Sequence, residues 1–135
     1  MESFVQDNPD IAKFDAVVAS EVIEHVDNPQ HFVATCSSVI DEGGSFFLTT
    51  INRTQRSYLG AIVAAEYLLR LLPTGTHDWN KFITPQELES MLKNSGFSFR
   101  VRLLHGMFYF PFIDKWTWIP DTGVNYALHA VKTVS

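Results

Sequence analysis

One cysteine, Cys36, occurs in 135 residues, which excludes an internal disulfide and a cysteine-rich zinc site; a reducing compartment fits such a chain. Long apolar runs are also missing. The most apolar stretch, Leu59 to Leu72, is interrupted by Glu66 and Arg70 and falls short of the roughly 20 apolar residues a membrane-spanning helix requires. Met1 to Asp10 is acidic, without the apolar core of a secretory signal or the Arg-rich character of a transit peptide. A targeting peptide, if the natural protein has one, is expected outside this chain. Basic residues are few: ten Lys and Arg stand against fifteen Asp and Glu, a net charge of −5. That balance speaks against nucleic acid as a partner, because displacing counterions from phosphates takes a basic surface. No G-x-G-x-x-G, P-loop, internal repeat or low-complexity segment is present.

What the chain does have is core-forming material. Hydrophobic residues make up 46 % of it and charged residues only 19 %, with eleven Phe, four Tyr and three Trp, enough for one small domain. Phe14 to Ala19 is short, β-branched and nearly all apolar, the pattern of a parallel strand covered on both faces. Polar Ser20 to His25 follows. Asp27 is expected to cap a helix with Pro29 in its first turn, ended by Asp41-Glu42-Gly43-Gly44. Ser45 to Thr50 reads as a second strand, which completes a βαβ unit. Ser57 to Leu72 has helical composition. Thr84-Pro85-Gln86-Glu87 is a capping box with proline at the first helical position, predicting a helix to about Asn94 that stops at Gly96. Phe97 to Leu104 and Asn125 to Lys132 are expected strands. Strands alternating with helices give an α/β class. With three or four strands in all, the pattern reads as the second half of a doubly wound sheet.

In such sheets ligands bind beyond the carboxyl ends of the strands, here Ser20 to His25 and Asn52 to Arg56. If Glu21 to His25 is a helical turn, Glu21, Glu24 and His25 fall at i, i+3 and i+4 on one face. Two carboxylates and an imidazole there can hold Mg²⁺, Mn²⁺ or Zn²⁺; the plainer alternative leaves the glutamates solvated and His25 packed. An H-x-x-E-H zinc helix fails at its first ligand, where Glu21 stands. Gly43-Gly44 follows a helix and precedes a strand, the wrong order for a dinucleotide loop, and reads as a structural turn. His77, beside Asp78, can act as a base or orient a hydroxyl, or Asp78 simply caps a turn. His31, His105 and His129 are scattered singly and read as structural. Ser57 to Leu72 is either a core helix or an interfacial one. The aromatic segment Met107 to Phe112, with Trp116 and Trp118, can line an apolar cavity or serve packing.

Phe14-Asp15-Ala16-Val17-Val18-Ala19-Ser20-Glu21-Val22-Ile23-Glu24-His25-Val26 resembles the fourth strand and following loop of class I S-adenosylmethionine-dependent methyltransferases. Gly43-Gly44 with Phe46 to Arg53 resembles their fifth-strand motif. More narrowly, Ala65-Glu66-Tyr67, Pro73 to Trp79, Lys81-Phe82-Ile83 and Val124-Asn125-Tyr126 resemble the ubiquinone-biosynthesis O-methyltransferases. Ala19-Ser20-Glu21 and Ala130-Val131-Lys132 lean toward the mitochondrial form. The likeness runs from about Phe14 to Lys132.

The resemblance implies the C-terminal half of a Rossmann-like class I methyltransferase fold. Residues 14–52 would be the fourth strand, helix and fifth strand, 53–83 an insertion with an amphipathic helix, and 84–135 the C-terminal helix and last strands. It implies S-adenosyl-L-methionine as cofactor, contacted by Ser20, and a divalent cation of the Mg²⁺ type at Glu21, Glu24 and His25. It further implies methyl transfer to a catechol hydroxyl of a polyprenylated dihydroxybenzoate or demethylubiquinol, with the cation lowering the phenol pKa. By the same likeness Ser57 to Leu72 meets a membrane surface, and the protein sits peripherally on the matrix side of the mitochondrial inner membrane among other ubiquinone-biosynthesis proteins. A bacterial form would use the cytoplasmic membrane face. The family's glycine-rich first loop, and the acidic residue ending its second strand, have no counterpart in Met1 to Lys13. Weak cofactor binding or none by this polypeptide alone, and association through an exposed strand edge, are therefore expected. A non-catalytic interaction module of the ubiquinone-synthesis complex is the second reading.

Overall fold

Residues 13–52, 79–110 and 113–134 are described by a computed structural model, with the backbone alone described at Trp79 and Tyr109. The first strand, β1 (Phe14–Ser20), forms where the sequence predicts it. A 3₁₀ turn (Ile23–His25) follows, then α1 (Pro29–Val39). The cap of α1 is Asn28, whose side chain accepts from the His31 N–H at 3.0 Å. Asp27 was the expected cap, but Pro29 occupies the first helical position, which makes its immediate predecessor the capping residue.

No glycine turn separates α1 from the next strand, in contrast to the sequence expectation. Ile40 is already extended and opens β2 (Ile40–Ile51). Asp41 to Gly44 instead forms an excursion inside β2. Between the pairs Phe14↔Ile40 and Ala16↔Ser45, β1 advances two residues and β2 five. Gly43 takes φ +78°, and a Cβ at Gly44 would lie 2.8–2.9 Å from the Ile40 side chain and from the carbonyls of Asp15 and Asp41. These glycines are structural, as their order in the sequence implies. The end of α1 is satisfied from elsewhere: buried Lys132 donates to the carbonyls of Ser37 at 2.9 Å and Ile40 at 2.8 Å. An ammonium thus does what a glycine cap does in many helices.

Further along lie a 3₁₀ turn (Trp79–Lys81) and α2 (Pro85–Lys93). The capping box forms as read: Thr84 Oγ1 accepts from Glu87 N–H at 3.2 Å, and Glu87 accepts from Thr84 N–H at 2.8 Å. Gly96 turns the chain at φ +85°. Then come β3 (Phe99–Phe110), β4 (Lys115–Ile119) and β5 (Asn125–Lys132). The five strands form one sheet in the order β1-β2-β5-β3-β4. Among the described residues only β1 and β2 pair parallel; β5 runs antiparallel to both of its neighbours, and β3 to β4.

One face of this sheet carries α1 and α2. Phe46, Leu48, Leu128 and Ala130 point into that layer with Val33, Leu88 and Leu92, all essentially without solvent contact. Alternation sends their neighbours the other way, where Val18 is 70 % and Phe47 40 % exposed. The cover expected on the second face of β1 does not come from the described residues. Among the described residues it has one strand partner and helices on one side only, because those residues supply one helical layer, not two.

The aromatic segment adds an element to the expected strands. Beyond Gly106, β3 leaves β5 and continues as a two-stranded ribbon with β4, an element the sequence reading did not separate. Phe108, Phe110, Trp116 and Trp118 stand exposed on this ribbon.

Candidate functional site at the strand carboxyl ends

The parallel pair β1 and β2 ends at Ser20 and Ile51, and the polar groups gather just past those ends. Ser20 Oγ lies 2.8 Å from Thr49 Oγ1, which donates to Glu21 Oε1 at 3.2 Å. Since the Thr49 hydroxyl has one proton and gives it to Glu21, Ser20 must donate to Thr49. The result is a directed chain, Ser20 to Thr49 to Glu21. The Glu21 N–H also donates to the Thr49 carbonyl at 3.0 Å, which fixes the backbone at φ +52°, a left-handed conformation uncommon outside glycine.

Glu24 is buried and accepts from the Thr50 hydroxyl at 3.0 Å. Burial, the Glu24 charge and a hydrogen bond shared with the Glu24 carboxyl together push Glu21 up to about 7, opposed by Thr49. A carboxyl that burial and a neighbouring carboxylate make costly to ionise alone gains from a cation beside it.

The i, i+3, i+4 face expected over Glu21 to His25 does not form. Helical hydrogen bonding is confined to a single 3₁₀ turn, and Glu21 precedes it with a positive φ. His25 is exposed, and among the described residues no three His, Cys, Asp or Glu side chains converge closely enough to hold a metal. The structure thus brings Glu21 and Glu24 together with Ser20, and leaves His25 outside the pair. A two-carboxylate site suits an ion of the Mg²⁺ type, which keeps several waters, better than a His-rich zinc site. His77, Asp78 and the whole segment Ser57 to Leu72 lie outside the described residues.

Three residues not singled out from the sequence complete the site. Thr49 and Thr50 orient the two carboxyls; their only signal was a pair of hydroxyls ending an otherwise apolar strand. Asn52 begins the loop beyond the second strand. Its N–H donates to the Val124 carbonyl at 2.8 Å and its amide nitrogen to the Thr122 carbonyl at 2.7 Å. A carbonyl can only accept, so the amide orientation is fixed, and Asn52 Oδ1 is left buried without a partner among the described residues. An orphaned acceptor at a strand's carboxyl end fits a ligand-bearing edge. His129 stacks on Phe47 at 4.3 Å and meets Ser45 Oγ at 3.0 Å, a packing role in line with the sequence reading.

A family model described as a methyltransferase domain matches residues 2–100. The chain is 50 % identical over 119 residues to the mitochondrial ubiquinone biosynthesis O-methyltransferase of Rattus norvegicus, covering 88 % of this chain and 34 % of the relative. The human mitochondrial protein of that name is 49 % identical over 120 residues, covering 89 % and 32 %. The ubiquinone biosynthesis O-methyltransferase of Acinetobacter baumannii (strain AYE) is 41 % identical over 121 residues, covering 90 % and 50 %. The chain therefore spans between a third and a half of the length of these curated relatives. Among solved structures, a SAM-dependent methyltransferase from Thermotoga maritima superposes with a TM-score of 0.61 at 16 % identity, over 90 % of this chain and 57 % of that one. Magnesium protoporphyrin IX methyltransferase from Synechocystis, solved with bound SAH, gives 0.55 at 17 %, over 91 % and 47 %. These structural likenesses show the fold: a mixed α/β methyltransferase fold of which the described sheet is a part.

Proposed function

This chain belongs to the methyltransferase-domain family, and we propose that it is the metal-binding and substrate-facing part of an S-adenosylmethionine-dependent O-methyltransferase. The acceptor is a catechol hydroxyl on a polyprenylated benzenoid intermediate of ubiquinone synthesis. The observation that carries this is identity of 41–50 % over about nine-tenths of the chain to curated proteins of that name. The paired carboxyls beyond β1 and β2 are what such chemistry needs.

A phenolic oxygen must shed its proton to attack the sulfonium methyl group. Glu21 and Glu24 would hold a Mg²⁺-type cation, which when bound supplies the charge that lowers the phenol pKa and orients the oxygen. Thr49 and Thr50 keep the two carboxyls facing one another through their hydroxyl donors. His25 is the third ligand implied by the sequence likeness; the proposal rests on the two carboxylates. Ser20, with its hydroxyl engaged at the end of β1, would meet the cofactor edge. His77 enters as a base from its sequence surroundings alone. Relatives named mitochondrial support a mitochondrial location. Peripheral placement on the matrix face of the inner membrane, with other ubiquinone-synthesis proteins as partners, completes the reading. No helix among the described residues is long and apolar enough to cross a membrane.

The test is methyl transfer from labelled S-adenosylmethionine to a short-chain catechol analogue, with and without Mg²⁺. Glu24→Gln is expected to lower kcat/KM by about 10–100-fold and to raise the Mg²⁺ concentration required. Unchanged turnover and Mg²⁺ dependence would overturn the ligand assignment. Absence of both transfer and S-adenosylhomocysteine binding in the intact protein would favour the non-catalytic interaction module.

A further inference from the structure

Thr49 ties two residues of the first strand's end together. Across the parallel pair it stands opposite Ser20, with the two hydroxyl oxygens 2.8 Å apart. Its carbonyl accepts from the Glu21 N–H at 3.0 Å, and its hydroxyl donates to Glu21 Oε1 at 3.2 Å. The backbone bond, with Glu21 at φ +52°, restrains the root of the carboxylate side chain as well as its tip. Burial alternates along β2, so Thr49 lies on the face away from α1 and α2, while buried Thr50, the donor to Glu24, lies on the helical face. The two carboxyls are therefore held from opposite faces of one strand, and the Glu21 side continues to Ser20.

A hydroxyl has one proton to give. With the Thr49 proton on Glu21 and the Ser20 proton on Thr49, Ser20 Oγ keeps lone pairs alone for anything beyond the strand end. It suits a hydrogen-bond donor and repels an acceptor. S-adenosylmethionine and S-adenosylhomocysteine both carry such donors: an ammonium, ribose hydroxyls and an adenine amine. A donor on Ser20 polarises the chain toward Glu21. Whatever fixes Glu21 as the acceptor turns the Ser20 lone pairs outward, because hydrogen bonds in series strengthen one another. On the cation and cofactor placement of the proposed function, we propose that Thr49 is a positioning residue coupling the two sites. A cation on Glu21 and Glu24 and a cofactor donor on Ser20 then each tighten the other, by linkage through the same factor.

The experiment is calorimetric titration of S-adenosylhomocysteine into the intact protein with and without saturating Mg²⁺, and of Mg²⁺ with and without S-adenosylhomocysteine. This ligand lacks the sulfonium charge, which removes direct repulsion between cofactor and cation. Each ligand is expected to tighten the other about fivefold, the low end of site-to-site coupling, because both ends of the chain are exposed. Thr49→Val, of nearly the same shape, is expected to bring both ratios to about one, and Thr49→Ser, which keeps the hydroxyl, to restore them. A merely structural role for Thr49 would move both affinities and leave the ratio. Ser20→Ala cuts the same chain at an exposed residue and guards against misfolding of the Thr49→Val variant. Thr50→Val is expected to weaken Mg²⁺ binding with the ratio kept. Binding of both ligands without coupling, or a full ratio in Thr49→Val or Ser20→Ala, would overturn the proposal and leave the methyltransferase reading standing. Failure of the unsubstituted protein to bind either ligand would strike that reading and this one together.

Discussion

Lys132→Met is the perturbation most directly weighed from this structure. The Lys132 ammonium is buried, donates to the carbonyls of Ser37 and Ile40, and lies 4.0 Å from the centroid of the Phe97 ring. Two hydrogen bonds from a charged donor are worth ~1.5–3 kcal/mol each, and the cation–π contact adds about 1 kcal/mol. Against this stands the cost of desolvating the ammonium, several kcal/mol in order of magnitude. The thioether keeps the stem packed but leaves two carbonyls at the end of α1 without this donor, and a net loss of about 2 kcal/mol is expected. Urea denaturation measures it, and the midpoint of thermal unfolding should fall by about 6–10 °C. A change below about 0.5 kcal/mol would refute the idea that Lys132 stands in for a helix cap.

The pH dependence gives an independent check with a definite sign. Burial first, and then Lys13, hold Lys132 below its ordinary pKa, opposed by Glu42 and Asp41. Between the folded value and the unfolded one near ~10.4, the folded chain binds fewer protons than the unfolded chain, so this group makes stability rise with pH. The K132M variant should lack that alkaline slope.

Burial pushes the Cys36 thiol up to about 11, so its thiolate fraction at pH 8 is about 100-fold below that of an ordinary thiol. Ellman's reagent should then react only as the chain opens; prompt reaction with the native protein would contradict the packing of α1 on the sheet. Tyr126 is fully buried and donates to the Ile83 carbonyl at 2.9 Å. Tyr126→Phe should cost about 1–2 kcal/mol in denaturation and loosen the approach to α2, seen as faster hydrogen exchange there. At Gly106 a Cβ would run into the Asp121 carbonyl oxygen, a backbone atom that cannot swing away. Gly106→Ala should destabilise by about 2–3 kcal/mol, with near-wild-type stability refuting the close approach at the root of the ribbon.

Much of the architecture was legible because short-range chemistry determined it. The apolar run at Phe14, the capping box at Thr84 and the strand expected over Asn125 to Lys132 are each specified by a few neighbouring residues, and each forms as read. Where the reading slipped, a distant residue intervened. The glycines at 43 and 44 read as a helix stop, yet α1 ends on Lys132, 93 residues after Val39 by number. The length of β3, and the separation of β4, depended on pairing across a turn that the aromatic segment does not announce.

The candidate site divides along the same line. Sequence by itself determined that two carboxylates and a serine lie past the carboxyl end of a strand, because strand position and residue identity are local properties. Only the tertiary structure decided their relations. A positive φ at Glu21, held by the Thr49 carbonyl of the neighbouring strand, breaks the helical spacing and sets Glu21 against Glu24 while His25 stays apart. The hydroxyls that orient the two carboxyls come from β2, 26 to 28 residues away, and the orphaned oxygen of Asn52 exists only because Thr122 claims its nitrogen. Hydrogen-bond geometry among chain-distant groups is a consequence of strand register, and register is settled by the whole sheet at once.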